Sequence, residues 1–246
     1  MGIKVENVSF TYQNGREALK NVSFKIDDGD FVGIVGPTGC GKTTLLYCLN
    51  GLIPNSIKGK FSGEVYVDGI STKSLGVSEL AKKIGIVFQD PDWQLFNLSV
   101  KDEVAFGPKN LKFNNIEERV KSALSLVGLN GFEDAEPFRL SQGQKQKLCI
   151  ACVLAMNPKI ILLDEPTSNL DYKNTKQIYS ILKRLNMQGK TIVIIEHDTD
   201  LLVEHANKII LLNNGEIIRN GSVEEVLSDV NLLEEVGVKV PRCFEK

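Results

Sequence analysis

The segment from Gly36 to Thr43 combines glycines, a lysine and a threonine at a spacing that suits the binding of phosphate groups. Glycine tolerates backbone angles that turn successive N–H groups to one side, where they can surround an anion. The order Gly-x-x-x-x-Gly-Lys-Thr is that of the Walker A phosphate loop, in which the lysine reaches the β- and γ-phosphates and the threonine binds Mg²⁺. The alternative is a glycine-rich turn without a ligand. The nucleotide-binding residues predicted here are Gly36, Thr38, Gly39, Cys40, Gly41, Lys42, Thr43 and Thr44.

Two adjacent carboxylates, Asp164 and Glu165, end an apolar run that begins at Lys159. A carboxylate at the carboxyl end of a buried strand lies at the crevice where α/β folds bind ligands. Asp164 is predicted to hold Mg²⁺. Glu165 is predicted to accept a proton from the attacking water, or to orient that water. Alone, the pair could equally be a solvated turn, but together with the phosphate loop it favours a catalytic site.

Ser141 and Gln144 have the spacing of a capping box, which predicts that Ser141 begins a helix. Gly143 then lies in the first turn, where a small residue lets an anion approach the free N–H groups of the helix. A plain helix cap would explain the same residues. The segment is therefore a candidate second binding site for phosphate.

The elements that must position these residues alternate between apolar strands and helices. The fully apolar run 31–35 predicts a strand buried on both faces that leads into the phosphate loop and then into a helix from Lys42 to about Asn50. Asn214-Gly215 predicts a hairpin. This order favours an α/β fold with a mostly parallel sheet, to which a β-rich beginning and a helical middle are attached. Further strands are predicted at 3–12, 22–26, 63–67, 83–88, 159–164, 190–195, 208–212 and 216–219, and helices over most of 99–156 and at 174–187.

Composition excludes several other classes of protein. The 246 residues carry a net charge of −2, which gives no electrostatic reason to expect a nucleic-acid partner. Cys149 and Cys152 form a C-x-x-C without a second pair nearby, so we expect them to pack within a helix. The first residues lack the apolar core of a signal peptide, and no apolar run approaches the ~20 residues of a membrane span. We expect a cytoplasmic location, with any membrane role depending on a partner.

Taken together, these motifs resemble those of the ABC-type ATPases over essentially the whole chain. Residues 140–144, Leu-Ser-Gln-Gly-Gln, resemble the ABC signature LSGGQ, with Gln142 in place of the first glycine. Lys147 stands where arginine is common after that signature. Because Ser141 and Gly143 keep the anion contacts, the resemblance survives these two departures, although the larger Gln142 could weaken closure of the signature over ATP.

The resemblance implies roles for further residues. Tyr12 would stack on adenine, Gln89 would be the glutamine of the Q-loop, and His197 would be the switch histidine. Asp171 ends a Ser-Asn-Leu-Asp segment that resembles the D-loop. The catalytic residues implied are Glu165, His197 and Gln89; the Mg²⁺ ligands are Thr43, Gln89 and Asp164; the nucleotide contacts outside the phosphate loop are Tyr12, Ser141, Gly143, Gln144 and Asp171.

Residues 88–96, Val100 and residues 103–108 resemble the ATPase subunits of energy-coupling factor importers, which take up vitamins or cobalt and nickel ions, and residues 224–241 are similar to the C-terminal region of the same group. This segment combines an acidic residue, Asp90, with the large apolar residues Trp93, Leu95 and Phe96. Surfaces that bind a partner protein often have such a composition. The resemblance implies that a coupling helix of a transmembrane subunit binds along 89–96. The alternative is that Trp93 and Phe96 belong to the core of the helical part.

We therefore expect one ABC ATPase domain over 1–246, with a helical subdomain at about 90–156 and a C-terminal extension at about 222–246. It would hydrolyse ATP with Mg²⁺ as a homodimer or heterodimer at the cytoplasmic face of the cell membrane. A substrate-binding membrane subunit would contact it indirectly. The alternatives are the ATPase of another ABC importer, an ABC ATPase unconnected with transport, a non-catalytic partner in a mixed pair, and a P-loop kinase or GTPase.

Overall fold

The computed structural model describes residues 2–245, in which ten strands form two sheets. The N-terminal sheet is antiparallel, in the order β2-β1-β4-β5, and the central sheet has the order β10-β9-β3-β8-β7-β6. In the central sheet only the pair of β9 and β10 is antiparallel. The strands are β1 (Gly2–Tyr12), β2 (Glu17–Asp27), β3 (Phe31–Val35), β4 (Gly59–Val67), β5 (Ile70–Ser71), β6 (Ile84–Val87), β7 (Ile160–Asp164), β8 (Thr191–Ile195), β9 (Lys208–Asn213) and β10 (Glu216–Ser222).

Ten α-helices lie within the same described residues. They are α1 (Lys42–Leu49), α2 (Leu52–Asn55), α3 (Val77–Ala81), α4 (Val100–Asn110), α5 (Ile116–Val127), α6 (Gln142–Met156), α7 (Tyr172–Met187), α8 (Thr199–His205), α9 (Val223–Leu227) and α10 (Val230–Val236). Helices α4, α5 and α6 pack on one another and form the helical part predicted for 99–156. The α/β fold with its antiparallel N-terminal sheet is confirmed; the domain boundaries stay a prediction.

The central sheet separates two hydrophobic cores, because successive side chains of a strand point to opposite faces. Leu162 packs with the N-terminal sheet and α1, whereas its neighbour Leu163 packs with the helical part. Strands β3, β7 and β8 are buried at every position. This explains why each of them reads as a continuous apolar run rather than as an alternating pattern.

The structure extends the sequence prediction at several elements. Strand β4 begins at Gly59 rather than 63, β10 ends at Ser222 rather than 219, and the short strand β5 was not predicted. Strand β2 begins at Glu17, five residues before the predicted start, because irregular pairing with β1 interrupts its alternation of buried and exposed residues. The short helices α2, α3, α8, α9 and α10 were not predicted, since each has seven residues or fewer and shows too little periodicity. Cys149 and Cys152 both lie on α6, and Cys149 packs in the core as predicted.

The C-terminal residues return to the central sheet after α10. Lys239 donates hydrogen bonds to Asp198 and Asp200, both at 2.6 Å, at the start of α8. Leu233 of α10 packs in the same core as the helical part. The end of the described chain is therefore tied to the segment that follows β8.

The phosphate loop is enclosed by backbone from two other segments. Gly41 has a φ of 114°, and a Cβ atom on it would lie 2.4 Å from the carbonyl oxygen of Ala18 in β2. A Cβ atom on Gly36, with a φ of 152°, would lie 2.0 Å from the carbonyl oxygen of Leu212 in β9. Neither carbonyl can move without disturbing its sheet, so these positions require glycine.

We expect Gly41→Ala to lower the free energy of unfolding by roughly 2 to 4 kcal/mol, because a strained φ and a backbone collision add together. The matched control is Gly15→Ala, where φ is also positive, at 86°, but no atom lies within 4 Å of the added Cβ. The control should lose only ~1 kcal/mol. Urea denaturation of both variants measures the difference, and equal losses would contradict the enclosed loop.

Candidate nucleotide-binding and hydrolytic site

A polar cavity of about 470 Å³ lies where the phosphate loop meets the carboxyl ends of the central strands. Its position follows from the parallel sheet, because loops after parallel strands emerge at the same edge. The lining joins segments that are far apart in the sequence. The lining residues are Tyr12, Arg16, Thr38, Gly39, Gly41, Lys42, Thr43, Thr44, Gln89, Glu165 and His197.

Lys42 is held in place by the loop that it serves. Its side chain is buried, and its ammonium nitrogen donates to the carbonyl oxygens of Gly36 at 2.8 Å and Pro37 at 3.0 Å. An ammonium group has three N–H donors, so one remains for a phosphate oxygen. The positive amino-terminal end of α1 begins at the same residue and adds to the attraction for an anion.

The opposite wall of the cavity comes from the N-terminal sheet. The hydroxyl of Tyr12 lies 2.9 Å from that of Thr44, and its ring meets Phe10 edge-on with centroids 4.8 Å apart. Arg16 donates from Nη2 to the carbonyl oxygen of Gly39 at 2.8 Å. Sequence reasoning missed Arg16, because a single arginine in a turn carries no spacing signal. It brings a second positive charge to the cavity.

Glu165 lies between two partners at the cavity floor. Its Oε1 lies 2.8 Å from Nε2 of His197, and its Oε2 accepts from Nε2 of Gln89 at 2.9 Å. Glu165 has a φ of 44°, a left-handed conformation that few non-glycine residues adopt and that often occurs at functional sites. The structure thus brings together the three residues predicted to be catalytic.

Asp164 is the last residue of β7 and is buried. Burial raises the pKa of its carboxyl group above the ordinary value, and a hydrogen bond from Thr43 partly offsets this. Among the described residues, its Oδ1 is buried without a hydrogen-bond partner. Mg²⁺ is commonly held by one or two protein oxygens together with the phosphates of the substrate. The unpartnered Oδ1 of Asp164 and the neighbouring hydroxyl of Thr43 fit this pattern.

The predicted signature residues do not line this cavity. The capping box is confirmed: Ser141 Oγ accepts from the Gln144 amide, and Gln144 Oε1 accepts from the Ser141 amide at 2.9 Å. Asp171 caps α7 by accepting from the amide of Asn174 at 2.8 Å. Gly143 lies against Asn174, so the starts of α6 and α7 are neighbours. Nucleotide contacts by Ser141, Gly143, Gln144 and Asp171 stay a prediction. The same holds for Gly36 and Cys40, which belong to the phosphate loop but do not line the cavity.

The segment 89–96 divides into exposed and buried residues. The side chains of Trp93 and Phe96 are 86% and 57% exposed, which contradicts the alternative that they belong to the core. Leu95 is only 3% exposed, so its inclusion in the partner surface was wrong: it packs in the core of the helical part. Phe106 on α4 meets Phe96 edge-on at 4.7 Å between centroids. We call Trp93, Phe96 and Phe106 the aromatic surface.

Comparison with known proteins gives the family. The model of the ABC transporter family matches residues 19–168. The chain belongs to the ABC transporter family. An ABC transporter ATP-binding protein of Pyrococcus abyssi is 46% identical over 243 residues, which are 97% of this chain and 87% of that protein. The energy-coupling factor transporter ATP-binding protein EcfA of Methanococcus maripaludis is 42% identical over 244 residues, 98% of this chain and 86% of that protein.

Solved ABC ATPases share the fold over nearly the whole chain. The structure of cbiO1 from Clostridium perfringens, part of the ABC transporter complex cbiONQ, has a TM-score of 0.81 and 35% identity. The match covers 98% of this chain and 96% of cbiO1. The ATP-binding cassette MJ0796, solved as a dimer bound to ADP and Pi, has a TM-score of 0.79 and 36% identity, with 90% and 98% covered.

This ABC protein is therefore an ATP-binding ATPase subunit of a transporter. ABC ATPases dimerise and act together with membrane subunits. Within residues 2–245, none of its helices is both long enough and apolar enough to cross a membrane.

We expect Asp164→Asn to separate stability from activity in this ABC ATPase. The raised pKa means that folding holds the ionised carboxylate at a cost, which is present above the folded-state pKa. Removing the charge should therefore raise the free energy of unfolding at neutral pH in EDTA, and ATP hydrolysis with Mg²⁺ should fall at least ~100-fold. Urea denaturation and phosphate release measure the two quantities. A variant that is less stable in EDTA and still hydrolyses ATP normally would contradict the assignment.

Proposed function

We propose that this chain is the ATP-hydrolysing subunit of an energy-coupling factor importer that takes up a vitamin or a cobalt or nickel ion. The aromatic surface carries the proposal, because it continues directly from the segment that holds Gln89 in the catalytic cavity. A partner docked there would sense the state of the nucleotide. The likeness to EcfA and to cbiO1 supports the same type of transporter.

Hydrolysis follows from the residues around the cavity. The amides of the phosphate loop and the ammonium group of Lys42 bind the β- and γ-phosphates. Thr43, Asp164 and Gln89 would hold Mg²⁺, which when bound neutralises charge on the phosphates. Glu165 orients the attacking water and accepts its proton while the water oxygen bonds to the γ-phosphorus. The bond from that phosphorus to the oxygen shared with the β-phosphate breaks, so that ADP and inorganic phosphate leave.

His197 and Gln89 keep Glu165 aimed at the cavity. Both contacts are within hydrogen-bond distance, at 2.8 Å and 2.9 Å. The carboxylate therefore has little rotational freedom, which favours the in-line geometry that phosphoryl transfer needs.

A second copy completes the site. Each ATP lies between the phosphate loop of one subunit and the start of α6 of the other, where Ser141 and Gly143 face the γ-phosphate. The capped, glycine-containing helix start supports this, because free N–H groups at a helix start attract an anion. The ATP-binding cassette MJ0796, which was solved as a dimer with ADP and Pi bound, has a fold similar to that of this chain. The assembly lies at the cytoplasmic face of the membrane, held there by its membrane subunit.

We expect Glu165→Gln to bind ATP as the wild type does, to hydrolyse it at least ~100-fold more slowly, and to remain as a closed dimer. The amide cannot accept the proton from water, so the γ-phosphate that links the two copies persists. Size-exclusion chromatography with ATP and a phosphate-release assay measure both effects. Normal turnover would refute the role of Glu165.

Lys42→Ala is the contrasting variant for the same assays. It removes the ammonium group that the loop holds at the phosphates, so nucleotide affinity itself should fall by ~100-fold, as for the loss of a buried charged hydrogen bond. No ATP-dependent dimer should form. Wild-type affinity in this variant would show that the loop is not the phosphate site.

We expect Trp93→Ala to reduce copurification of an integral membrane protein by at least ~10-fold while ATP binding stays unchanged, because central exposed aromatics dominate interfaces. Met187→Ala, a substitution of another exposed apolar side chain at the end of α7, is the matched control. Mass spectrometry of the material captured from membranes also identifies the substrate-binding partner. Equal capture by both variants would contradict the aromatic surface, and capture of no membrane protein by the wild type would favour an ABC ATPase unconnected with transport.

A further inference from the structure

A buried carboxylate without a cationic partner lies directly beneath the catalytic residues. Glu196, between β8 and His197, is only 5% exposed, and no ion pair forms with it within residues 2–245. A buried charge is costly unless hydrogen bonds satisfy it. A buried carboxylate next to His197, which lines the cavity, therefore needs a physical explanation.

Four hydrogen bonds converge on this carboxylate. Oε1 accepts from the backbone amides of His197 at 2.9 Å and Asp198 at 3.4 Å. Oε2 accepts from the hydroxyls of Thr167 at 2.6 Å and Tyr179 at 3.1 Å. Burial, followed by the charge of Glu196, raises the pKa of the Tyr179 phenol well above its ordinary value, so this hydroxyl stays protonated and donates.

The two oxygens of Glu196 hold different catalytic loops. Oε1 binds the backbone that carries His197, and Oε2 binds Thr167, two residues after Glu165. We call Glu196 and its four hydrogen bonds the clamp. Glu165 and His197 also contact each other directly, with 2.8 Å between Oε1 and Nε2, but the His197 side chain is 48% exposed. A contact open to water contributes little to holding two loops together, whereas buried, charge-assisted hydrogen bonds contribute more.

We propose that Glu196 is a positioning residue for ATP hydrolysis, because its carboxylate fixes the distance between the loops that carry Glu165 and His197. The inference rests on the proposed roles of those two residues. Glu196 itself does not line the cavity and makes no contact with the nucleotide. It acts through the backbone of the switch histidine and through the hydroxyl of Thr167.

Replacement by alanine should therefore reduce turnover without reducing binding. We expect Glu196→Ala to lower kcat by ~10- to ~100-fold, the effect of misplacing a reacting group by about 1 Å. The affinity for a fluorescent ATP analogue should stay within ~2-fold, because the phosphate loop is untouched. Glu196→Gln should retain most of the activity, since its amide oxygen can accept from the two backbone amides and both hydroxyls can rotate to accept from its NH₂ group.

A matched variant separates positioning from stability. Val226→Ala removes buried volume on α9, away from the nucleotide cavity, and should lower the melting temperature without changing kcat per folded molecule. If Glu196→Ala is too unstable to purify, Thr167→Val removes a single arm of the clamp and should lower kcat by ~3- to ~10-fold. Equal kcat values for the Glu196→Ala and Val226→Ala enzymes would overturn the proposal, as would a Gln variant impaired as strongly as the Ala variant.

A double-mutant cycle identifies the route of the effect. If Glu196 acts through His197, adding Glu196→Ala to His197→Ala should lower kcat by less than a further ~2-fold. If Glu196 had an independent structural role, the fold losses in kcat of the two single variants would multiply in the double variant. Multiplying losses would overturn the proposal. Glu165→Gln and His197→Ala measured alone test the proposed function: full turnover in them would refute that function, whereas their inactivity beside an active Glu196→Ala enzyme would refute only the role of Glu196.

Discussion

The register of three parallel strands determines where the phosphate loop, Glu165 and His197 lie relative to one another. Ile34 of β3, Ile195 of β8 and Asp164 of β7 lie side by side in one row across the central sheet. Because the three strands are parallel, the residues that follow this row lie at the same edge of the sheet. Gly36, His197 and Glu165 each follow within two residues, so they must emerge at one edge. A shift of one strand by one residue would turn its side chains to the opposite face and would separate these groups.

The same edge concentrates groups that a folded protein buries only at a cost. Lys42, Asp164 and Glu196 are all nearly inaccessible to water. Lys42 and Glu196 are satisfied by hydrogen bonds within the chain, whereas Asp164 keeps one oxygen without a partner in the described residues. Lys42 and Glu196 give the site its shape, and the unpartnered oxygen of Asp164 fits a cation. Sites of this kind trade stability for function, as the buried charge of Asp164 illustrates.

Sequence reasoning located the main strands and the phosphate loop because their signals are local, whereas Tyr12, Gln89 and His197 were assigned only through the resemblance to ABC ATPases. A strand buried on both faces, a glycine-rich turn and a capping box each occupy a few consecutive residues, and the structure places all of them as predicted. Leu95 was misassigned because an apolar residue between exposed aromatics has the same sequence pattern whether it points inward or outward.

Arg16 and Glu196 were missed for a different reason. Their contacts join residues 23 and 29 positions apart, Arg16 to Gly39 and Glu196 to Thr167, so no short pattern contains both partners. Such contacts depend on how β1, β7 and β8 are placed in space. Only tertiary packing makes these residues parts of the site.

The aromatic surface has one further consequence. Trp93 is the single tryptophan of this chain, and with 86% exposure its indole ring is almost fully in contact with solvent. Indole is a large amphipathic chromophore that responds to the removal of water from its face. The indole emission of this chain therefore arises at one surface site, and it can be excited selectively at wavelengths that its five tyrosines absorb weakly. The molecule carries its own optical reporter, with no dye attached, at the place where motion would pass to a neighbouring subunit.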